Sequence, residues 1–377
     1  MTGGEQLAGM EHDMTSSRAI RSIAFWAGLW AGLWIAAGPL IAEEAELTSA
    51  RAGETLAREE FLQIRMGIPV RIVVYAPSSA VANEAADAAY RKLRQVDRLM
   101  SDYDPDSELM QLTAKAEVGT PQTVSQELFL VLLAARQLSI ETDGAFDVTI
   151  GPVVKLWRLA RRKKQLPDPE VLKQSLERVG FQHYSLDSES CTVTFHRSDM
   201  QLDLGGIAKG YAADQALAVL REHGVTRALI DAGGDIVVGE APPDRAGWRI
   251  EVEIPGESAS AEREAIILEL KNQAVATSGD AYQFVEVDGV RYSHLIDPRT
   301  GIGMTTSGSV TVVAPTGIQA DGLASALSVM GPEQGLQLIA TKANTAALIF
   351  ENQGDDQLRK FESSRWDELP KAIEETP

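Results

Sequence analysis

Cysteine is nearly missing from this chain: Cys191 stands alone among 377 residues. No intrachain disulfide can form, and a thiolate cluster for zinc is excluded. Histidine is scarce as well, at His12, His183, His196, His223 and His294, with no zinc-site spacing. Any metal must therefore rest on oxygen ligands, the donors that hard cations select. Positive charge is in deficit, since 35 Lys+Arg against 54 Asp+Glu leave a formal net charge of -19. Such a surface repels phosphate backbones, so nucleic acid is not an expected partner. A Gly-x-Gly-x-x-Gly after an early strand is absent, which argues against a Rossmann domain. The one basic run, Arg158 with Arg161, Arg162, Lys163 and Lys164, reads as a solvated loop or helix face before it reads as an anion site.

One apolar run stands out. No charged residue lies between Ile23 and Ala42, with Arg18 and Arg21 before it and Glu43 and Glu44 after it. Its length is close to the roughly 20 residues that span a bilayer, so 1–42 reads as a signal peptide or an N-terminal membrane anchor. Positive residues ahead of the run place the rest of the chain outside the membrane. Residues 43–60 then form a linker, 61–352 one large domain, and 353–377 a polar tail. Cys191, in a segment alternating like a strand, is expected to be a small buried thiol.

Met66 to Tyr75 reads as a strand after a turn, and Ala82 to Leu99 as an alanine-rich helix. Ser107 and Ser125 are placed to cap helices, while Asp168 precedes a helix with Pro169 at its first position and Gly180 at its end. Strands follow at Arg227 to Ala232, Asp235 to Val238, Trp248 to Ile254 and Ala265 to Leu270. Asp288-Gly289 joins Phe284–Val287 to Val290–His294 as a hairpin. Val310 to Val313 is a strand, Ala320 begins a helix, and Thr345 to Phe350 is the last core strand. Hairpin-linked strands mixed with long helices predict an α+β fold, mostly antiparallel sheets with packed helices.

The stretch Asp203 to Asp214 joins an acid, a Gly-Gly turn and a helix with Lys209 near its start, the ingredients of a phosphate or metal site. Asp321 and Ser325 lie four apart, on one side of the first turn of their helix. His294 sits at a strand end with an ordinary pKa near neutrality, so it is a candidate general base, and Asp280 competes with it.

Six motifs occur in order: Met66-Gly67; Met100 to Leu109; Gly144 to Asp147; Asp203 to Asp214; Thr277 to Asp280 with Tyr292 to His294 and Ile296 to Pro298; and Ala320 to Ala326. Together they resemble the ApbE family of flavin transferases, which move FMN from FAD onto a Thr or Ser of a target protein and release AMP. The resemblance implies that Met66, Tyr103, Ala145, Phe146, Asp147, Asp203, Lys209 and Ile296 line the FAD site. It also implies that magnesium, or manganese, is held by the Gly206 carbonyl, Asp321 and Ser325. The candidate catalytic set is His294 and Asp280, from their own chemistry, with Lys209. Its setting would be exported, in the periplasm or anchored to the inner membrane facing it, touching membrane only through the N-terminal segment. Two alternatives stay open: an FAD pyrophosphatase releasing FMN and AMP, and a non-catalytic FAD-binding module. Ile68 and Ala281 depart from the family pattern, where a small hydroxyl residue and a tyrosine are usual.

Overall fold

The computed structural model describes residues 55–255, 266–279, 284–352 and 357–372. The apolar run 23–42, most of the expected linker, and Asp280 with Ala281 lie outside the described residues. The chain opens with β1 (Ala57–Arg65), β2 (Ile68–Ala76), α1 (Ser79–Met100), α2 (Glu108–Ala114), β3 (Gln122–Thr123), α3 (Gln126–Glu141), α4 (Gly151–Lys163) and α5 (Pro169–Leu176). It continues with β4 (Tyr184–Asp187), β5 (Thr192–Phe195), α6 (Ala208–Glu222), β6 (Arg227–Ala232), β7 (Asp235–Val238), β8 (Trp248–Val252), β9 (Ile266–Leu270) and β10 (Gln273–Gly279). The last elements are β11 (Phe284–Val287), β12 (Val290–Ser293), β13 (Gly308–Ala314), α7 (Gly317–Ala340), β14 (Ala346–Asn352) and β15 (Leu358–Glu362).

Eight strands form one sheet in the order β1-β2-β6-β7-β10-β13-β14-β15. Every neighbouring pair in it is antiparallel. The α+β expectation therefore holds. Alternation along the strands divides two cores: Val70, Ile72 and Val74 of β2 face a large core with the helices, whereas Val73 faces a second core with Trp248, Ile250 and Leu268 of the β8–β9 hairpin. The helix α1 packs through Ala82, Ala85, Ala89, Leu93 and Val96, small and aliphatic residues at helical spacing.

Local signals place many boundaries. Ser78, Ser107, Ser125 and Asp168 each accept a backbone N–H in the first turn of the helix that follows. Asp288 and Gly289 have φ of 52° and 75°, the left-handed pair that a tight hairpin needs. Other boundaries move. The expected linker already contains the start of β1, because Ala57–Arg65 pairs residue for residue with β2 and leaves Met66-Gly67 as the turn. Helix α5 stops at Leu176, and Gly180, at φ 145°, instead opens a short 3-10 turn. Cys191 is only half-buried, at φ 50° in the turn before β5. The polar tail supplies β15 and the fully buried Trp366. Among the described residues no helix is long and apolar enough to cross a membrane.

Candidate active site

A cavity of about 980 Å³ opens where α6, α7, one face of α4 and one edge of the large sheet meet, the edge formed by the starts of β2, β7 and β13 and the ends of β10 and β14. Its lining includes Met66, Tyr103, Ala145, Phe146, Asp147, Asp203, Gly206, Lys209, His294, Ile296, Asp321 and Ser325. The lining thus includes all the sequence-derived candidates except Asp280, which lies outside the described residues.

Two loops shape that lining, the first of them buried. In the first, Asp147 accepts the N–H and hydroxyl of Thr149 at 2.9 and 2.7 Å through one oxygen and the Phe181 N–H at 2.6 Å through the other. Burial pushes its pKa up against those bonds. Its carboxylate is therefore a loop brace, and the cavity sees it beside Ala145 and Phe146. The second loop is tied to the first by the Asp203 N–H, which donates to the Val148 carbonyl at 2.8 Å. Asp203 in turn accepts the Gly205 N–H at 2.8 Å, closing the bend that starts the Gly-Gly turn. Its pKa is raised by burial and then by the nearby charge of Asp102, with the Gly205 N–H and Arg158 pulling the other way.

Gly206 has no room for a side chain. A Cβ there would stand 2.9 Å from Ser325 Oγ and 3.3 Å from the Phe146 ring, so the loop, the α7 hydroxyl and the aromatic ring converge. Helix α7 begins at Gly317, three residues earlier than expected, which puts Asp321 a full turn inside the helix. Asp321 is consequently buried, at 3% exposure, instead of standing at the surface. Its Oδ2 accepts the Gly210 N–H at 3.0 Å, and its Oδ1 lies 3.5 Å from Lys209 Nζ. Lys209 Nζ also donates to Asp235, the first residue of β7. Burial opposes charge on Lys209, but Asp321 and Asp235 outweigh it and raise its pKa. Asp235 is raised by burial and by Asp321, more than Lys209 lowers it. Lys209 is therefore the counter-charge between two buried carboxylates.

His294 is held from both sides. The Ser293 N–H donates to the Met304 carbonyl at 2.8 Å, and the Leu295 N–H donates to Ser293 Oγ at 3.1 Å. Ile296 pairs with Gly303 just beyond. This presents the half-buried imidazole at the cavity wall from the end of β12. Tyr103 is the exception to burial, with three-quarters of its surface exposed.

Three residues in or around the site had no site role in the sequence reading. Asp235 opens β7 directly after the Gly233-Gly234 break, and only its pairing with Lys209 marks it. Asp214 accepts the N–H groups of Gly317 and Ile318 at 2.7 and 3.0 Å, so α6 caps α7. Arg158 binds Asp102 at 2.6 Å and Asp203 at 3.1 Å, which takes it out of the solvated face expected for the basic run. An i,i+3 arrangement of Arg158 and Arg161 beside acidic loops was the available signal.

Among the described residues no three His, Cys, Asp or Glu side chains gather as a metal-binding group. Gly206, Ser325 and Asp321 line the cavity and carry carbonyl, hydroxyl and carboxylate oxygens, a donor type that suits a hard divalent cation.

The model of the ApbE family matches residues 66–350. An FAD:protein FMN transferase of Haemophilus influenzae is 35% identical over 263 residues, covering 68% of this chain and 75% of its own. One from Treponema pallidum is 33% identical over 303 residues, covering 76% and 83%. Among solved structures, the flavin transferase ApbE from Vibrio cholerae superposes with a TM-score of 0.73 at 31% identity, over 84% of this chain and 100% of that one. The apo flavinyl transferase ApbE of Pseudomonas stutzeri gives 0.72 at 30% identity, over 83% and 97%. With the family model matching residues 66–350, well over half of the chain, and the fold shared, this chain belongs to the ApbE family.

Proposed function

We propose that the protein transfers FMN from FAD to a Thr or Ser hydroxyl of an exported target protein, releasing AMP, in a magnesium-dependent reaction. One observation carries the reading: an oxygen-only donor set, Gly206, Asp321 and Ser325, shares a cavity with His294 and the flavin-site candidates. The names of the relatives point to the same chemistry. The uncharged run from Ile23 to Ala42 supports an exported setting, periplasmic or anchored.

In the transfer, the acceptor oxygen bonds to the FMN-side phosphorus while the bond from that phosphorus to the bridging oxygen breaks and AMP departs. Magnesium or manganese, when bound by Gly206, Asp321 and Ser325, supplies charge neutralisation on the diphosphate. The protein's own groups do the rest. Asp235 and Asp321 keep Lys209 charged at the cavity wall, and Lys209 keeps Asp321 in place. His294 receives the hydroxyl proton, with Asp280 as the competing base. Loops holding Ala145, Phe146 and Asp203 are cross-braced by hydrogen bonds, so they position the dinucleotide without rearrangement.

The test is incubation with FAD, magnesium and candidate exported acceptors, reading AMP and covalently bound flavin. Both should appear together and vanish with chelator. AMP and FMN formed equally without acceptor would instead make the protein a hydrolase, and neither product with any acceptor would overturn the reading.

A further inference from the structure

We propose that Arg158 is a positioning residue that fixes the Tyr103 ring as a stacking wall for a planar ring of the dinucleotide; this rests on the FAD reading above. Tyr103 needs such a partner. It sits in the loop between α1 and α2 with three-quarters of its surface exposed, so apolar packing does little to set its orientation. Its own loop offers the N–H groups of Tyr103 and Asp104 to Ser101 Oγ, each at 3.3 Å, and these bonds hold backbone, not ring.

Arg158 comes to the ring from a rigid element. In α4 the adjacent Trp157 is buried, and its indole N–H donates to the Gly301 carbonyl at 2.7 Å, which fixes the rotation of the helix. That rotation aims Arg158 at three partners at once: Asp102 at 2.6 Å, Asp203 at 3.1 Å, and the Tyr103 ring with the guanidinium carbon 4.2 Å from its centroid. The planar fork explains why arginine stands here. It can bind two carboxylates in its plane and still lay its face on an aromatic ring, whereas an ammonium is a point charge. Asp102 and Tyr103 belong to the loop after α1, and Asp203 to the loop before α6. One side chain thus ties together the two loops that flank the cavity, and it covers one face of a ring that lines the cavity with it. A flat, oriented ring is what a flavin or purine stacks on.

The test is FAD affinity and the quenching of flavin fluorescence on binding, in Arg158→Gln, Arg158→Lys, Tyr103→Leu, Tyr103→Phe and the Arg158→Gln/Tyr103→Leu double variant. Arg158→Gln should weaken FAD roughly tenfold and reduce quenching, the size of a partly desolvated cation–π contact together with lost orientation. Arg158→Lys should recover only part of it, and Tyr103→Phe, which keeps the ring, should lose less affinity than Tyr103→Leu. The double variant should bind no worse than Tyr103→Leu alone, because Arg158 acts through the ring. Losses that multiply in the double variant, or an Arg158→Gln variant with unchanged affinity, would overturn the inference while leaving the FAD reading intact. Absence of FAD binding by the unmodified protein would overturn the FAD reading and this inference with it. Melting curves for each variant, with Arg158→Lys keeping the charge, separate lost stacking from lost folding.

Discussion

Asp321 shows how one residue's place in a helix changes what its removal means. Read as a first-turn carboxylate, it would be a surface group whose loss leaves the fold untouched. In the structure it is buried and accepts the Gly210 N–H at 3.0 Å while facing Lys209. Asp321→Ala therefore strands a buried N–H and leaves Lys209 with one carboxylate. Its expected cost is about 1–3 kcal/mol of stability in addition to lost turnover. Asp321→Asn keeps a carbonyl oxygen for Gly210 and should melt closer to the unmodified protein, yet it lacks the charge that a divalent cation needs. Denaturant titration beside an AMP-release assay separates the two effects. An Asn variant with full magnesium-dependent turnover would remove Asp321 from the ion site.

At the scale of elements, the site depends on how closely α6 and α7 cross. A Cβ at Gly210 would overlap the Gly317 carbonyl, and one at Gly317 would overlap the Gly210 carbonyl, so the two glycines let backbone meet backbone. Asp214 locks the same crossing by capping α7. Gly210→Ala must push the helices apart, and with them Asp321 from Lys209 and Ser325 from Gly206. The expected result is about 1–3 kcal/mol of destabilisation and a larger fractional loss of turnover than of FAD binding. Equal melting and activity would show that the crossing tolerates separation. Helices, caps and the Asp288-Gly289 hairpin were legible in the sequence because their causes lie within a few residues. The site was legible as a set of motifs, but its wiring was not. Lys209 meets Asp235 across 26 residues and Asp214 meets Gly317 across 103, and no local pattern carries such pairings. Arg158 was read as solvated for the same reason: its partners come from two other loops.

Across the whole molecule, the family match ends at residue 350 but the fold does not. The segment after 352 is polar in composition, which hides one decisive residue. Trp366 is fully buried among Val73, Trp248, Leu268, Leu348 and Phe350, on the sheet face away from the helices. It is delivered there by β15 on the edge of β14 and by Ser363, whose N–H donates to the Ala347 carbonyl and whose hydroxyl accepts the Ala347 N–H, both at 2.9 Å. The tail thus closes a core that also includes the β8–β9 hairpin, and it covers an edge strand that would otherwise present unpaired backbone. Trp366→Ala opens a large cavity beneath that hairpin, with an expected cost of about 3–5 kcal/mol. The loss should appear in denaturant unfolding as a lower midpoint. FAD affinity, measured well below that midpoint, should stay near normal, because Trp366 does not line the cavity. A cost under about 1 kcal/mol would mean that the second core collapses around the gap and that the tail is dispensable to the fold.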